Sequence, residues 1–477
     1  MRIAIMTAGS RGDVAPYTGL GAGLVRAGHE VTPVTHGMFE PLAAGSGVRF
    51  RPLPGDPRAE LHARRGRDLH RSRTGAVKLL RAAALARRMA PGMTAPLVRA
   101  AREADVVLAG GALAPLGHAV AQGLSRPSMG LFLQPLHGTS AFPPPMLGTR
   151  SLGPLGNRIG GDAVLAAVDH VFTRAARRLA EDHGLPVQGL SPARRDRERQ
   201  GWPVWHGFSE LVVPRPRDRR PGLEVCGYWW PHDAAGGLPA ELEDFLGSGP
   251  APVYVGLGSA TTPDPRRVSA HVVTALRACG LRGVVQHGWA GLSATGDDMI
   301  TIGDVPHSLL FPRMAALVHH AGAGTTGATL RAGVPCVPLP VRFDAHFWAS
   351  RLVELGTAPE VVPLRRLDSA TLGAALRRAV TEPSHRDRAR RIARRLAAED
   401  GTAPSPPRSK RWPAVEGAVR ADSGRPTGRT PGGGAWIREG RTDRRADAAT
   451  ADRPAPLPHS SPKERTGCAC RRRRGSP

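Results

Sequence analysis

Leu317–Pro335 reads LVHHAGAGTTGATLRAGVP. It passes from a short apolar segment through two histidines into small residues and two threonines, turns helix-like, and stops at Gly333-Val334-Pro335. A packed core has no need of four glycines and a histidine pair at that point. A strand that ends in a glycine-rich turn and enters a helix does use them. Its backbone N–H groups converge at the helix start, where an anion is favoured, and Ser or Thr hydroxyls add donors.

Three further loops share this strand-to-helix position: Gly9-Ser10-Arg11-Gly12-Asp13-Val14, Gly256-Leu257-Gly258-Ser259 and Gly303-Asp304-Val305-Pro306-His307. They are spaced along two stretches of alternating strand and helix signals. In residues 1–135, the strands RIAIMTAG, EVTPVTH, VRFRPLP, DVVLAGG and RPSMGLFLQP alternate with helical patterns such as APYTGLGAGLVRAGH. From residue 251 the strands APVYVGLGS, LRGVVQHG, MITIGDVP, MAALVHH and VPCVPLP do the same, with APEVVPL closing the unit. Strands separated by helices imply parallel sheets with crossover connections. The fold class is therefore α/β: two Rossmann-like domains facing each other across a cleft. Ligands in such sheets bind outside the carboxyl ends of the strands. The expected boundaries are residues 1–222, a linker over 223–250 containing CGYWWPHDAAGGLPAELEDFLGSGP, a second domain over 251–402, and a tail over 403–477.

Composition excludes several classes. A chain of 477 residues is too long for one compact core. No apolar run approaches the roughly 18 residues of a membrane span, and the N-terminus MRIAIMTAGSRGD reads as a buried strand rather than a secretory leader. The five cysteines show no metal-type spacing, so a reduced, cytoplasmic chain without disulfides is expected. The net charge of +26 does not point to a specific nucleic-acid partner, because aromatics are only 4% and never interleave with the basic residues. Residues 401–477 hold 17 Lys+Arg and 7 Asp+Glu, a net +10, without apolar periodicity. They read as a disordered basic tail. Its Arg471–Arg474 run is a solvated tail or, alternatively, a peripheral contact with an anionic membrane.

Gly322-Ala-Gly324-Thr-Thr-Gly327 also matches G-x-G-x-x-G, and Asp344 follows twenty residues after Gly324. Alone, this is a dinucleotide fingerprint and would suggest an NAD(P)-dependent oxidoreductase. That fingerprint belongs on the first strand of a nucleotide domain, whereas this loop comes after several strands. Asp13 has two readings of its own: a general base on a loop facing the cleft, or a cap for the helix near Pro16.

GSRGDVAPY, LQPLHGTSAFPPPMLG, VCGYWW, VYVGLGS, IGDVPHSLLFPRMAALVHHAGAGTTGATLRAGVPCVPLP and FDAHFWASRLVELG occur in this order. Together they resemble a nucleotide-sugar-dependent glycosyltransferase of the GT-B fold. The likeness is greatest to sterol 3-beta-glucosyltransferases and to bacterial enzymes that glycosylate glycopeptide and polyketide aglycones, and it covers roughly residues 1–400.

The resemblance implies an inverting transfer of a hexose from a UDP- or TDP-sugar to a lipophilic, hydroxylated acceptor. Asp13 would be the general base. His320, Gly322, Gly324, Thr325 and Thr326 would hold the diphosphate, with Ser10 and Ser259 as further donor contacts and Val305 beside the nucleobase. Asp344 would bind donor-sugar hydroxyls. His320 and the helix start would stabilise the leaving nucleotide, so no metal or other cofactor is expected. Leu61–Pro96 and the loop PLHGTSAFPPPM would line the acceptor site.

Two departures stand out. Relatives pair Asp with Gln where this chain has Asp344-Ala345, and the likeness stops near Thr402, before the helix with which relatives tie their domains together. These departures leave open a non-transferring relative, such as a sugar-nucleotide epimerase or an inactive accessory protein, and predict loosely held domains.

Overall fold

The computed structural model describes residues 1–63, 75–233, 236–341 and 343–402. Its first half runs β1 (Arg2–Met6), α1 (Arg11–Arg26), β2 (Glu30–His36), β3 (Arg51–Leu53), α2 (Pro57–His62), α3 (Gly75–Met89), α4 (Thr94–Glu103), β4 (Val106–Gly110), α5 (Ala114–Gly123), β5 (Ser128–Phe132), α6 (Gly153–His183), α7 (Leu190–Arg199), β6 (Val204–His206) and β7 (Leu223–Val225). The second half runs α8 (Ala240–Gly247), β8 (Val253–Gly256), α9 (Pro265–Ala278), β9 (Gly283–Gln286), β10 (Met299–Ile302), α10 (His307–Leu310), β11 (Ala316–His319), α11 (Ala323–Ala332), β12 (Cys336–Pro338), α12 (Ala345–Glu354), α13 (Ser369–Thr381) and α14 (Pro383–Leu396).

Every strand pairing among the described residues is parallel. The first sheet has the order β3-β2-β1-β4-β5-β6-β7 and the second β10-β9-β8-β11-β12. In each sheet the order reverses once, between β1 and β4 and between β8 and β11. Such switch points are where open α/β sheets bind ligands. Three of the four glycine loops follow β1, β8 and β11, and the fourth follows β10. The apolar strands explain the layering. All five residues of β4 are buried, as are all four of β8 and of β11, because helices cover both sheet faces.

Several boundaries move. The linker does not begin at 223, since Leu223–Val225 pairs with β6 as the last strand of the first sheet. Nor are the described residues of 226–250 a loose linker. Tyr228 and Trp229 are buried, and Leu238, Leu242 and Leu246 join the core of the second half. Phe208, Val212 and Val213, which precede the linker, also pack into that second core. APEVVPL is not a strand and leads into a short 3-10 turn at Leu364–Arg366. Both sheets belong to one compact unit.

The expectation of loosely held domains is also revised. After α14 the chain returns to the first half. Gly401 O accepts from the Trp229 indole at 2.9 Å, Glu399 Oε1 accepts from Ser209 Oγ at 2.6 Å, and Thr402 packs against Gly23 of α1. Residues 403–477 lie outside the described residues. Ending the chain after Leu396 should therefore cost on the order of 1–3 kcal/mol, because the buried Trp229 N–H loses its acceptor, whereas ending it after Thr402 should keep that bond. Thermal unfolding of the two truncations, with Tm clearly lower for the shorter, is the expected result. Equal Tm values would show that the strap contributes nothing.

Candidate functional site

Both switch points open on one cleft of about 1000 Å3 lined by both halves. Asp13 stands at its N-terminal wall. Gly9 has φ +143, and a Cβ there would run into the Asp13 carboxylate, so the turn after β1 needs glycine. Asp13 Oδ2 accepts from the Ser10 N–H at 2.8 Å and the Ser10 hydroxyl at 3.0 Å, and its own carbonyl accepts from Thr7 Oγ1 at 2.8 Å. The helix starts at Arg11 rather than near Pro16, so Asp13 is its third residue and Ser10 its N-cap; the Asp13 carboxylate fastens that helix start and also lines the cavity. Ser10 lines it too, with amide and hydroxyl both donated to Asp13.

On the opposite wall, the loop after β11 separates the two histidines. His319 is fully buried. Its Nδ1 accepts from the Ala321 N–H at 3.1 Å, and its Nε2 lies 3.2 Å from Thr329 Oγ1, which donates to Thr325 O at 2.8 Å. Nε2 therefore carries the proton. Burial, reinforced by the neighbouring His320 and His307, lowers His319 to about 3, so it stays neutral and holds the loop. His320 instead lines the cleft. The chain turns inward through Ala321 at φ +57. A Cβ on Gly322 would lie 2.5 Å from His320 Nε2, which explains glycine there.

The first intrahelical bond of α11 runs from the Thr326 N–H to Gly322 O at 2.8 Å. This leaves the N–H groups of Ala323, Gly324 and Thr325 without helical acceptors at the positive end of the helix. Gly322, Gly324 and Thr325 line the cleft. Thr326 does not: it is fully buried and its hydroxyl has no hydrogen-bond partner among the described residues. The expectation that Thr326 holds phosphate is corrected, because one residue along a helix rotates a side chain by about 100°, away from its neighbour's face.

Ser259 and Val305 line the same end of the cavity, with Trp289 and His307. Asp304 Oδ2 pairs with Arg11 Nη1 at 3.2 Å, and Asp304 Oδ1 accepts from Gln286 Nε2 at 2.9 Å. The Arg11–Asp304 pair links the β1 loop of one half to the β10 loop of the other. Sequence reading missed it because it joins residues 293 apart.

Asp344 precedes α12, and its side chain makes no capping bond. Its Oδ2 accepts from the Trp348 indole at 2.8 Å. Burial pushes its carboxyl up to about 6, against the lowering by Trp348, and the Asp13 charge raises it further. Asp344 therefore faces Asp13 from the other half. Ala345 beside it is buried. A carboxyl raised in the fold stabilises fully below its unfolded value of 3.8 and loses that contribution as pH rises through about 6. Relative to Asp344→Asn, the wild type should lose on the order of 2–3 kcal/mol between pH 4 and 7. Denaturant unfolding across that window checks this. A constant difference between the two proteins would mean that Asp344 titrates like an exposed carboxylate.

The other end of the cavity is apolar. Met38, Phe39, Met89, Met93, Met146 and Phe172 line it. Leu61, Ala83 and Ala86 fall in the Leu61–Pro96 segment expected there, and Leu136 and Met146 in the PLHGTSAFPPPM loop. Residues 64–74 of that segment lie outside the described residues. Among the described residues no helix is long and apolar enough to cross a membrane.

Residues 3–105 match the glycosyltransferase family 28 N-terminal domain, and residues 267–408 match the erythromycin biosynthesis protein CIII-like C-terminal domain. The chain is 38% identical over 421 residues to an O-mycaminosyltylonolide 6-deoxyallosyltransferase of Streptomyces fradiae, covering 84% of this chain and 95% of that protein. It is 30% identical over 425 residues to a sterol 3-beta-glucosyltransferase of Arabidopsis thaliana, covering 84% of this chain and 66% of that protein. Among solved structures, the glycosyltransferase of kitacinnamycin superposes with a TM-score of 0.63 at 19% identity, over 88% of this chain and 98% of that one. The glycosyltransferase VinC, solved in complex with dTDP, superposes with a TM-score of 0.58 at 22% identity, over 89% of this chain and 100% of that one. The dinucleotide-oxidoreductase and non-transferring readings fall with these relationships: the chain belongs to the GT-B glycosyltransferases with a family 28 N-terminal domain, and it is a hexosyltransferase.

Proposed function

We propose that the chain is an inverting glycosyltransferase that moves a hexose from a UDP- or TDP-sugar to a hydroxyl of a lipophilic acceptor, with Asp13 as general base. The observation that carries this reading is the polarity of the cleft between the two switch points. One end offers the α11 N-terminus, His320, Thr325 and Ser259, which suit a diphosphate. The other is apolar and rich in methionine, whose flexible thioether adapts to irregular ligands. Asp13 stands on the first-half wall and Asp344 on the second.

In this scheme the acceptor O–H proton passes to the Asp13 carboxylate as the oxygen attacks the anomeric carbon. The bond from that carbon to the diphosphate oxygen breaks on the opposite face, so configuration inverts. Negative charge collects on the departing diphosphate, where His320 and the free N–H groups of α11 stabilise it. Ser10 orients the base through its two bonds to Asp13. Val305 and Trp289 flank the nucleobase, and Asp344 meets sugar hydroxyls. Ala345 has no hydrogen-bonding side chain, so a donor hydroxyl there gains nothing, which suits a deoxygenated sugar. Sterols and O-mycaminosyltylonolide, which the relatives' names print, are the acceptors to try first.

The experiment is incubation with a panel of UDP- and TDP-hexoses, including 6-deoxyhexoses, and lipophilic alcohols, read by mass spectrometry. A product heavier than its acceptor by one hexosyl unit is expected. Hydrolysis without transfer across a panel of sterols and macrolides would overturn the acceptor assignment.

A further inference from the structure

A second, smaller cavity of about 30 Å3 lies within the first half. It shares Gly111, Ala112, Leu136 and Val168 with the wall of the cleft. The rest of its lining is unusually charged for an interior: Asp169 from α6, Arg194, Arg197 and Glu198 from α7, and His137 and Arg220 from loops. Asp169 is 1% exposed and Arg197 7%.

Arg194 is committed, donating Nε to Asp169 Oδ2 at 2.9 Å and Nη1 to Glu198 Oε1 at 2.8 Å. Both carboxylates of the lining are thereby paired with the same arginine. Arg197 lies over the Trp202 ring at 5.3 Å, and its buried Nη1 has no hydrogen-bond partner among the described residues. Arg220 gives Nη1 to the carbonyls of Trp202 and Pro221, but its buried Nε has no partner among the described residues. Among the described residues, Nδ1 of His137 and Oδ1 of Asp169 are also unpartnered. Three guanidinium groups against two carboxylates leave one positive charge in excess on the lining. A further carboxylate, Asp162, acts on Arg194 from outside it.

A buried donor left unpaired is costly, and more so when charged. An uncompensated buried charge is costlier still. Water occupying the cavity would satisfy the donors and Asp169 Oδ1 but not the charge. A space of about 30 Å3 exceeds the ~10–15 Å3 that a single water requires, leaving room for a halide or the two oxygens of a carboxylate.

We propose that this cavity binds a small monoanion, a halide or a carboxylate, held by Arg197 and Arg220. Two sources present that chemistry: a free ion from solution, and the carboxylate of an acceptor reaching through the wall shared with the cleft. The second source rests on the proposed function, and the first does not.

Thermal unfolding of the full chain tests it, with sodium gluconate replaced stepwise by chloride or formate at constant ionic strength. A saturable rise in Tm of about 2–4 °C is expected. Arg197→Met, which keeps the stem and removes the charge, should abolish the rise, and Arg220→Met serves if that variant does not fold. Decanoate and decanol distinguish the sources. Stabilisation by decanoate over decanol that depends on Arg197 assigns the site to an acceptor carboxylate, and chloride or formate effects without it assign a free ion. Identical Tm values in gluconate, chloride and formate, without an Arg197-dependent decanoate effect, would overturn the proposal and leave a water-filled pocket. A rise that persists in both arginine variants would place the anion elsewhere and overturn it equally.

Discussion

Asp13→Asn should lower kcat by about 10²–10⁴-fold while UDP or TDP affinity stays nearly unchanged. The substitution isolates one property. Asparagine keeps the size of the side chain and an oxygen that can accept the Ser10 N–H and hydroxyl, so the turn after β1 and the start of α1 should persist. What it loses is the capacity to take a proton. The residue lies on the first half, across the cleft from the α11 loop, so nucleotide binding has no reason to change. Rates from saturating acceptor and donor, with calorimetric titration of the nucleotide, separate the two quantities. Activity within about threefold of wild type would return Asp13 to a purely capping role. A fall in Tm of several degrees would show that the helix start had been lost with the charge.

His320→Ala should lower kcat by about 10²–10³-fold, the magnitude for loss of one preorganised donor at a developing charge, and should also weaken nucleotide binding. The neighbouring histidine supplies the control. His319 is enclosed and bonded to Ala321 and Thr329, so His319→Ala should act through stability: it leaves the Thr329 hydroxyl and the Ala321 N–H short of a partner in the core. His320→Ala should leave Tm nearly unchanged. Two adjacent histidines would then separate into one that fails in turnover and one that fails in unfolding. If His320→Ala lost stability and kept nucleotide affinity and turnover, the diphosphate assignment would be wrong.

The parts of the fold legible in the sequence are those whose signals are local. A run such as AALVHH before a glycine turn identifies β11 by its neighbours alone, and the same holds for β1, β4, β5 and β8. The loops after them carry the site, so most of the site was legible as well. The three-residue strands β6 and β7 were not. VWH and LEV are too short to show a period, and parallel pairing of β6 to β5 and of β7 to β6 supplies their stability. Thr326 was misplaced because a motif gives the order of residues but not the face of the helix each one takes. The linker was misread because glycine and proline around Tyr228 and Trp229 suggested a loop, whereas burial of those rings is decided by Tyr17, Gly327 and Gly401 far along the chain. The Arg11–Asp304 pair and the charged pocket around Arg197 depend on the same long-range assembly.

The return of residues 399–402 to the first half bears on how this chain could be recombined. Enzymes with a donor half and an acceptor half invite chimeras made by one cut in the connecting segment, so that a new acceptor preference is joined to an existing donor preference. Here a single cut would not exchange clean modules. The second half ends in a strap that reaches back to the Trp229 indole and Gly23 of the first half, and Phe208–Val213, whose Ser209 the strap also meets, is embedded in the second half's core. A working hybrid should need four crossovers, carrying Phe208–Val213 with the second half while β7 and Trp229 stay with the first, and Ala397–Thr402 with the first half.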